Sequence, residues 1–184
     1  MSWNLPNTLT WARIAAIPLI VLLFYMPYPW ADPAAGLLFA VAGITDLLDG
    51  YFARRLGQIS RLGAFLDPVA DKLIVAVALV LLVSRDPRAL VVLTAAIIIG
   101  REITISALRE WMAEIGARRK VAVSQLGKYK TILQIIGLSL MLYRWQLFGL
   151  KIYELGVALT VIAAAATLVS MVAYLRIAWP ELKR

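Results

Sequence analysis

The sequence contains no cysteine and no histidine among its 184 residues. Without cysteine there are no disulfides, no thiolate nucleophile and no cysteine-ligated zinc or iron–sulfur centre. Without histidine the most common general base and transition-metal ligand is absent, and a Ser-His-Asp triad is excluded. Any chemistry must therefore use carboxylates, hydroxyl groups, lysine and arginine.

Charge is also scarce, because only 16% of the residues are charged while 62% are hydrophobic and the mean hydropathy is +0.81. Soluble domains average about 25% charged residues, so the composition argues against a water-soluble protein. Six helices of about 22 residues would cross a bilayer core of about 30 Å and leave no room for a soluble domain. We therefore predict an all-α integral membrane protein, one domain over 1–184, with six transmembrane helices near 8–27, 34–54, 64–83, 89–110, 125–143 and 150–175.

The positive charges are divided unevenly between alternate connections. Ten lie on one side: Arg54, Arg55, Arg61, Arg109, Arg118, Arg119, Lys120, Arg176, Lys183 and Arg184. Four lie on the other: Arg85, Arg88, Arg144 and Lys151. The positive-inside rule then predicts that both termini and the loops near 55–63 and 111–124 are cytoplasmic. The net charge of +8 is explained by this topology, so nucleic acid is not an expected partner.

Four aspartates fall within or at the edges of the second and third predicted spans: Asp46, Asp49, Asp67 and Asp71. Their spacings of three and four residues place each pair on one helical face. The two spans flank a short basic loop, so both pairs should meet near the cytoplasmic surface. Carboxylates at such depth are costly and need a cation among them.

Oxygen ligands without histidine or cysteine favour a hard divalent ion such as Mg²⁺, Mn²⁺ or Ca²⁺. Two such ions suit phosphoryl chemistry, and Gly50, Ala53 and Gly63 would let a phosphate ligand approach the backbone. The alternative is purely structural: the aspartates would be buried partners of Arg54, Arg101 or Lys72. A single D-x-x-D pair does not decide between the two.

The aspartates belong to a longer motif that is more specific than one D-x-x-D pair. The motif is Asp46-Leu-Leu-Asp49-Gly50-Tyr-Phe-Ala53-Arg54, eight residues, Gly63, three residues, Asp67, three residues, Asp71. It matches, without departure, the signature D-x2-D-G-x2-A-R-x8-G-x3-D-x3-D, and on it the chain resembles the CDP-alcohol phosphatidyltransferases. The segments NLPNTLTWARI, GREITISALREWM and VAVSQLGKYKT are similar to the bacterial branch of that family that uses glycerol 3-phosphate. The resemblance extends over nearly the whole chain.

The resemblance implies a bacterial inner-membrane homodimer with a polar cavity open to the cytoplasm and laterally to the bilayer. It also implies phosphatidyl transfer from CDP-diacylglycerol to sn-glycerol 3-phosphate, which gives phosphatidylglycerol phosphate and CMP. Asp46, Asp49 and Asp67 would be the principal ligands of two Mg²⁺ or Mn²⁺ ions. Asp71 would complete the metal site and act as general base. CDP would contact Asp46, Asp49, Gly50, Ala53, Arg54 and Gly63, with Arg54 on the diphosphate.

The remaining polar candidates each have two interpretations. Asn7 and Thr10 either cap the first helix or contact the cytosine or ribose of CDP. Arg101 either pairs with Glu102 or takes part in the site, and because adjacent helical residues point about 100° apart, at least one of the two needs another partner. Basic residues at the same depth either set topology or hold the acceptor phosphate: Arg109, Lys128 and, less firmly placed, Lys130.

Two groups of rival functions stay open at this level. Other family members would use inositol phosphate, serine or phosphatidylglycerol as acceptor and would share the aspartate motif. An ion-coupled transporter would also carry acidic residues inside its helices. The clustering of the aspartates towards one membrane face, and the lack of a visible inverted repeat, argue against the transporter.

Overall fold

The computed structural model describes residues 5–56, 61–117, 125–146 and 151–182, with side chains described for these except residues 5–7, 46–56, 61–62, 64, 125–129 and 182. Within these ranges the chain is all-α and contains six helices. They are α1 (Leu5–Tyr25), α2 (Ala31–Leu56), α3 (Arg61–Arg85), α4 (Ala89–Glu114), α5 (Gln125–Tyr143) and α6 (Ile152–Leu182). The six predicted segments each correspond to one helix, although α4 and α6 continue further towards the predicted cytoplasmic side.

In the part of the chain that the structure describes, three stretches are long and apolar enough to cross a membrane on length and composition alone: Thr8–Tyr25, Ala89–Glu114 and Ile152–Glu181. Shorter apolar stretches occupy Ala31–Thr45 in α2 and Lys130–Tyr143 in α5. In α3 the charged residues Asp67, Asp71 and Lys72 interrupt the apolar pattern near its start. The helices agree with the six-span prediction, whereas the crossing of all six remains a prediction.

The apolar core draws residues from all six helices and includes Phe39, Leu82 and Leu142, each at most 2% exposed. Many other large apolar side chains face outward, as Leu93 and Val169 do. An exterior of this kind is unfavourable in water, because soluble proteins expose only small apolar patches. The surface is therefore suited to contact with lipid.

Close approach of α5 and α6 depends on two facing glycines. A Cβ atom on Gly156 would lie 2.7 Å from the carbonyl oxygen of Gly137 and 2.9 Å from the amide nitrogen of Met141. Both neighbours are backbone atoms, so they cannot rotate away. Small residues at helix contacts are a common way to bring membrane helices together.

We expect Gly156→Ala to destabilise the protein by about 1–3 kcal/mol, the usual cost of overpacking a close contact. The thermal unfolding midpoint of the purified protein in detergent measures the effect. Gly100→Ala is the matched control, since a Cβ atom there would meet nothing within 4 Å. An unfolding midpoint for Gly156→Ala equal to that of Gly100→Ala would contradict the packing argument.

The two outer arginines in and after α3 form ion pairs that tie the helix ends together. Arg85 donates from Nη1 to Asp32 Oδ1 at 2.6 Å and also to the carbonyl oxygen of Phe24. Arg88 pairs with Asp86 at 2.7 Å and with Glu154 at 3.0 Å. Hydrogen bonds from Arg88 are the main reason that the pKa of Asp86 falls to about 2. The five charged residues in these contacts are thus partnered with one another.

Candidate active site

Contacts between α1 and α3 hold the second acidic pair. Thr10 Oγ1 donates to Asp67 Oδ1, and Arg13 Nη1 donates to Asp71 Oδ1 at 2.5 Å. Thr10 and Arg13 are 2% and 3% exposed, respectively. Asp71 is more open, with 37% of its side chain exposed. Because two buried α1 side chains each hold one carboxylate oxygen, the orientation of both aspartates depends on α1.

Asp71 opens on a polar cavity of about 240 Å³ bounded by α3, α4, α5 and α6. Its walls comprise Asp71, Lys72, Val75, Arg101, Glu102, Ile105, Arg109, Lys130, Thr131, Gln134 and Tyr174. Four of these residues are cationic and two are carboxylates, so the lining carries a net charge of +2. The volume lies below the about 300–1,000 Å³ of typical pockets for drug-sized ligands. A small anion next to Asp71 suits this cavity best.

The cations of the cavity are held by neighbouring helices. Arg109 Nη2 lies 3.3 Å from the hydroxyl oxygen of Tyr174, to which it donates, and the guanidinium carbon is 5.4 Å from the centre of the Tyr174 ring. Lys130 is 7% exposed and donates from Nζ to Ser170 Oγ at 3.2 Å. A small apolar cluster that includes Met112 and Tyr174 packs α4 against α6 beside these contacts.

Arg101 and Glu102 form an ion pair at 3.0 Å in spite of their adjacent positions. The long arginine side chain bends back far enough to bridge the 100° between them. Only 10% of the Arg101 side chain is exposed. Within the described residues, the buried Nε atoms of Arg101 and Arg109 have no hydrogen-bond partner. Buried donors without partners are unfavourable, so these two atoms carry an energetic cost.

An apolar cavity of about 400 Å³ adjoins the polar one between α3 and α4. The two cavities share Lys72, Val75 and Glu102 in their walls. Ile98 and Ile103 contribute to the apolar part. The site therefore offers polar and apolar surfaces side by side.

The predicted site residues divide into three groups. Asp71, Arg101, Arg109 and Lys130 come together around the polar cavity, while Thr10 and Asp67 pair next to it. Gly63 is buried in the first turn of α3. The side chains of the remaining predicted residues lie outside the description: Asn7, Asp46, Asp49, Gly50, Ala53, Arg54 and Lys128.

Three residues close to the predicted site had no assigned role in the sequence analysis: Arg13, Ser170 and Tyr174. Ser170 and Tyr174 belong to a set of polar residues that recur along α6 at helical spacing. That pattern is visible in the sequence, but it does not indicate which side chains these residues contact. Arg13 was visible as a charge inside an apolar span. Its partner was not, since 58 residues separate it from Asp71.

The chemistry of the acidic residues fits a hard divalent cation. Asp67 and Asp71 supply only oxygen atoms, as do the neighbouring threonines Thr10 and Thr131. Among the residues whose side chains are described, no three acidic, histidine or cysteine residues form a group that could hold a metal ion. A complete metal site would therefore need carboxylates from the part of α2 that carries residues 46 and 49.

Comparison with known proteins adds an independent finding. The family model described as CDP-alcohol phosphatidyltransferase matches residues 3–175. The chain is 49% identical over 182 residues to a CDP-diacylglycerol–glycerol-3-phosphate 3-phosphatidyltransferase from Shigella flexneri serotype 5b. The protein of the same name from Escherichia coli strain K12 is also 49% identical. In both comparisons the match covers 99% of this chain and 98% of the relative.

Proposed function

The chain belongs to the CDP-alcohol phosphatidyltransferase family, and on this basis we propose that it transfers a phosphatidyl group from CDP-diacylglycerol to sn-glycerol 3-phosphate. The products are phosphatidylglycerol phosphate and CMP. Relatives that carry this activity in their names match the chain over nearly its full length. The enzyme is thus a transferase of phospholipid biosynthesis.

Within the structure, one observation supports this proposal most directly. The side chains of four residues line the same cavity: Asp71, Arg101, Arg109 and Lys130. Its net charge of +2 complements the two negative charges of a phosphate monoester. Its small volume suits glycerol 3-phosphate. The adjoining apolar cavity offers a surface for the diacylglyceryl part of the other substrate.

In the proposed reaction, an acceptor hydroxyl oxygen attacks the phosphorus that bears the diacylglyceryl group. The bond from that phosphorus to the CMP oxygen breaks, and CMP leaves with the electron pair. Asp71 takes the proton of the attacking hydroxyl. Arg13 supports this role by fixing one carboxylate oxygen of Asp71 beside the cavity. Arg101, Arg109 and Lys130 bind and orient the acceptor phosphate.

Members of this family generally depend on a divalent metal ion. We propose that this enzyme binds two Mg²⁺ or Mn²⁺ ions. Asp46, Asp49, Asp67 and Asp71 would hold them. When bound, such ions neutralise diphosphate charge and stabilise the departing CMP. Asn7, Thr10, Gly50, Ala53, Arg54 and Gly63 would contact CDP, with Arg54 on the diphosphate.

The acceptor is tested by CMP release from purified enzyme supplied with CDP-diacylglycerol, Mg²⁺ or Mn²⁺ and one acceptor at a time. We expect turnover with glycerol 3-phosphate and at least about tenfold less with inositol phosphate, serine, phosphatidylglycerol or unphosphorylated glycerol, because only the first matches the cavity in both size and charge. Equal or greater turnover with another acceptor would assign the chain to a different branch. If no acceptor supports metal-dependent CMP release, an ion-coupled transporter would be favoured over a phosphatidyltransferase.

We further place the protein in the bacterial inner membrane as a homodimer, with all six helices crossing the bilayer. The count of ten basic residues against four supports cytoplasmic termini and a cytoplasmic site. A cytoplasmic site also suits water-soluble glycerol 3-phosphate. The apolar exterior supports insertion in lipid.

The absence of cysteine makes the orientation directly testable. Glu114 ends α4 on the proposed cytoplasmic side, and Gln146 follows α5 on the outer side, both with exposed side chains. A membrane-impermeant maleimide applied to intact cells should label Gln146→Cys and leave Glu114→Cys unlabelled until the membrane is opened. The opposite pattern would reverse the topology, and the cysteine-free parent gives the background.

A further inference from the structure

The inner face of α6 is polar where it passes the proposed acceptor site. Thr160, Thr167, Ser170 and Tyr174 recur at spacings of seven, three and four residues, and each is less than 9% exposed. Those spacings place them on one stripe of the helix. Buried polar side chains are costly in an apolar bundle, so such a stripe needs a compensating role.

Tyr174 contacts Arg109 in two ways. Its hydroxyl accepts a hydrogen bond from Arg109 Nη2 at 3.3 Å, and its ring lies 5.4 Å from the guanidinium carbon. Tyr174 also contributes to the wall of the polar cavity. One side chain thus restrains both the direction and the position of the guanidinium group.

Ser170, one helical turn earlier, makes the equivalent contact with Lys130. Its hydroxyl oxygen accepts from Lys130 Nζ at 3.2 Å and its own proton goes to the carbonyl oxygen of Thr167 at 2.8 Å. The serine is therefore locked as an acceptor towards the lysine. Because an ammonium group has three protons, Lys130 can bind Ser170 and still present a donor to a ligand.

We infer that Tyr174 and Ser170 are positioning residues for the acceptor phosphate, which act by holding Arg109 and Lys130 at the cavity before the substrate enters. This inference rests on the proposed function of that cavity. A cation that is already oriented loses less conformational entropy on binding, so the acceptor binds more tightly without a new contact. The sequence analysis assigned no site residue to α6.

The test is a kinetic comparison of Tyr174→Phe and Tyr174→Leu with the parent enzyme. Phenylalanine retains the ring and removes only the hydrogen bond, so we expect the KM for glycerol 3-phosphate to rise about threefold to tenfold. Leucine removes both the hydrogen bond and the ring contact with Arg109, so it should raise the KM for glycerol 3-phosphate further. The kcat and the KM for CDP-diacylglycerol should change less than about twofold, a split that general destabilisation would not produce.

Two controls match the chemical changes. Tyr153→Phe also deletes a tyrosine hydroxyl, but at the outer end, where it donates to Asp86. Ser170→Ala should likewise raise the KM for glycerol 3-phosphate, and its control is Ser139→Ala, which deletes a buried serine hydroxyl that donates within its own helix to the carbonyl oxygen of Ile135. Neither control should alter the KM for glycerol 3-phosphate. The elution profile and unfolding midpoint verify that each variant is folded.

Double substitution decides whether Tyr174 acts through Arg109. If it does, Tyr174→Phe should change the KM less than about twofold in a chain that already carries Arg109→Gln. Independent, multiplicative effects would overturn the inference, as would an equal rise in KM for both substrates. If Arg109→Gln alone leaves the KM for glycerol 3-phosphate unchanged, the proposed acceptor site is wrong and the inference falls with it. If Arg109→Gln raises that KM but Tyr174→Phe does not, only the inference is overturned.

Discussion

Replacement of any one of Asp46, Asp49, Asp67 and Asp71 by asparagine is expected to lower CMP release at least about a hundredfold. Each carboxylate is assigned to metal charge compensation or to proton transfer, and a general base alone contributes about 10²–10⁴ in rate. Asparagine is preferred to alanine because its amide oxygen still accepts the hydrogen bond from Arg13 or Thr10. Folding should therefore be retained.

The measurement is CMP release by monodisperse, purified variants at saturating Mg²⁺ or Mn²⁺. Asp32→Asn is the matched control, since Asp32 is also an ion-paired aspartate but contacts Arg85 at the outer end. It should keep near-normal turnover even if it lowers the unfolding midpoint. Near-normal turnover in any two of the four site variants would refute the metal-site assignment.

The second large effect concerns the acceptor phosphate. Arg109→Gln and Lys128→Gln should each raise the KM for glycerol 3-phosphate at least about tenfold, which corresponds to about 1.4 kcal/mol. The KM for CDP-diacylglycerol should change little, because its CDP part is assigned to residues of α1, α2 and the start of α3 and its diacylglyceryl part to an apolar cavity that Arg109 does not line. Arg109 lines the cavity, whereas Lys128 is assigned from the resemblance of its segment VAVSQLGKYKT to the branch that uses glycerol 3-phosphate.

Arg176→Gln is the control for charge, because Arg176 is an exposed basic residue near the end of α6 that we propose is cytoplasmic. Its loss changes the net charge equally and leaves the cavity intact. The same increase in KM for Arg176→Gln would indicate a general electrostatic effect of the cytoplasmic surface. Equal losses of affinity for both substrates in Arg109→Gln would mean that the arginine does not distinguish the acceptor.

Arg13 changes how the aspartate motif is understood. From the sequence, a cation is expected among the four carboxylates, with Arg54, Arg101 and Lys72 as candidate structural partners. The structure pairs Asp71 with Arg13 from α1, which is 3% exposed. Asp71 also lines the polar cavity, so a structural ion pair at this position does not exclude the proposed functional role.

The all-α class, the approximate positions of the six helices in the described residues and the resemblance to the family that the comparisons support could all be predicted from the sequence. These follow from local quantities. Apolar run length and the spacing of charges are properties of one segment, and the eight fixed identities of the motif lie within 26 consecutive positions. Helical periodicity also correctly placed Asp67 and Asp71 on one face.

Which helix faces that pair depends on the packing of the whole bundle. Thr10 and Arg13 reach it from 57 and 58 residues away, and Tyr174 reaches Arg109 from 65 residues away. Periodicity specifies the direction in which a side chain points around its own helix, but the neighbour it meets depends on how all six helices pack. The pairing of Arg101 with Glu102 likewise depends on side-chain flexibility, which the angle between adjacent positions does not capture. For this reason the acidic half of the site was visible in the sequence, while the contribution of α6 emerged only from the packing of the bundle.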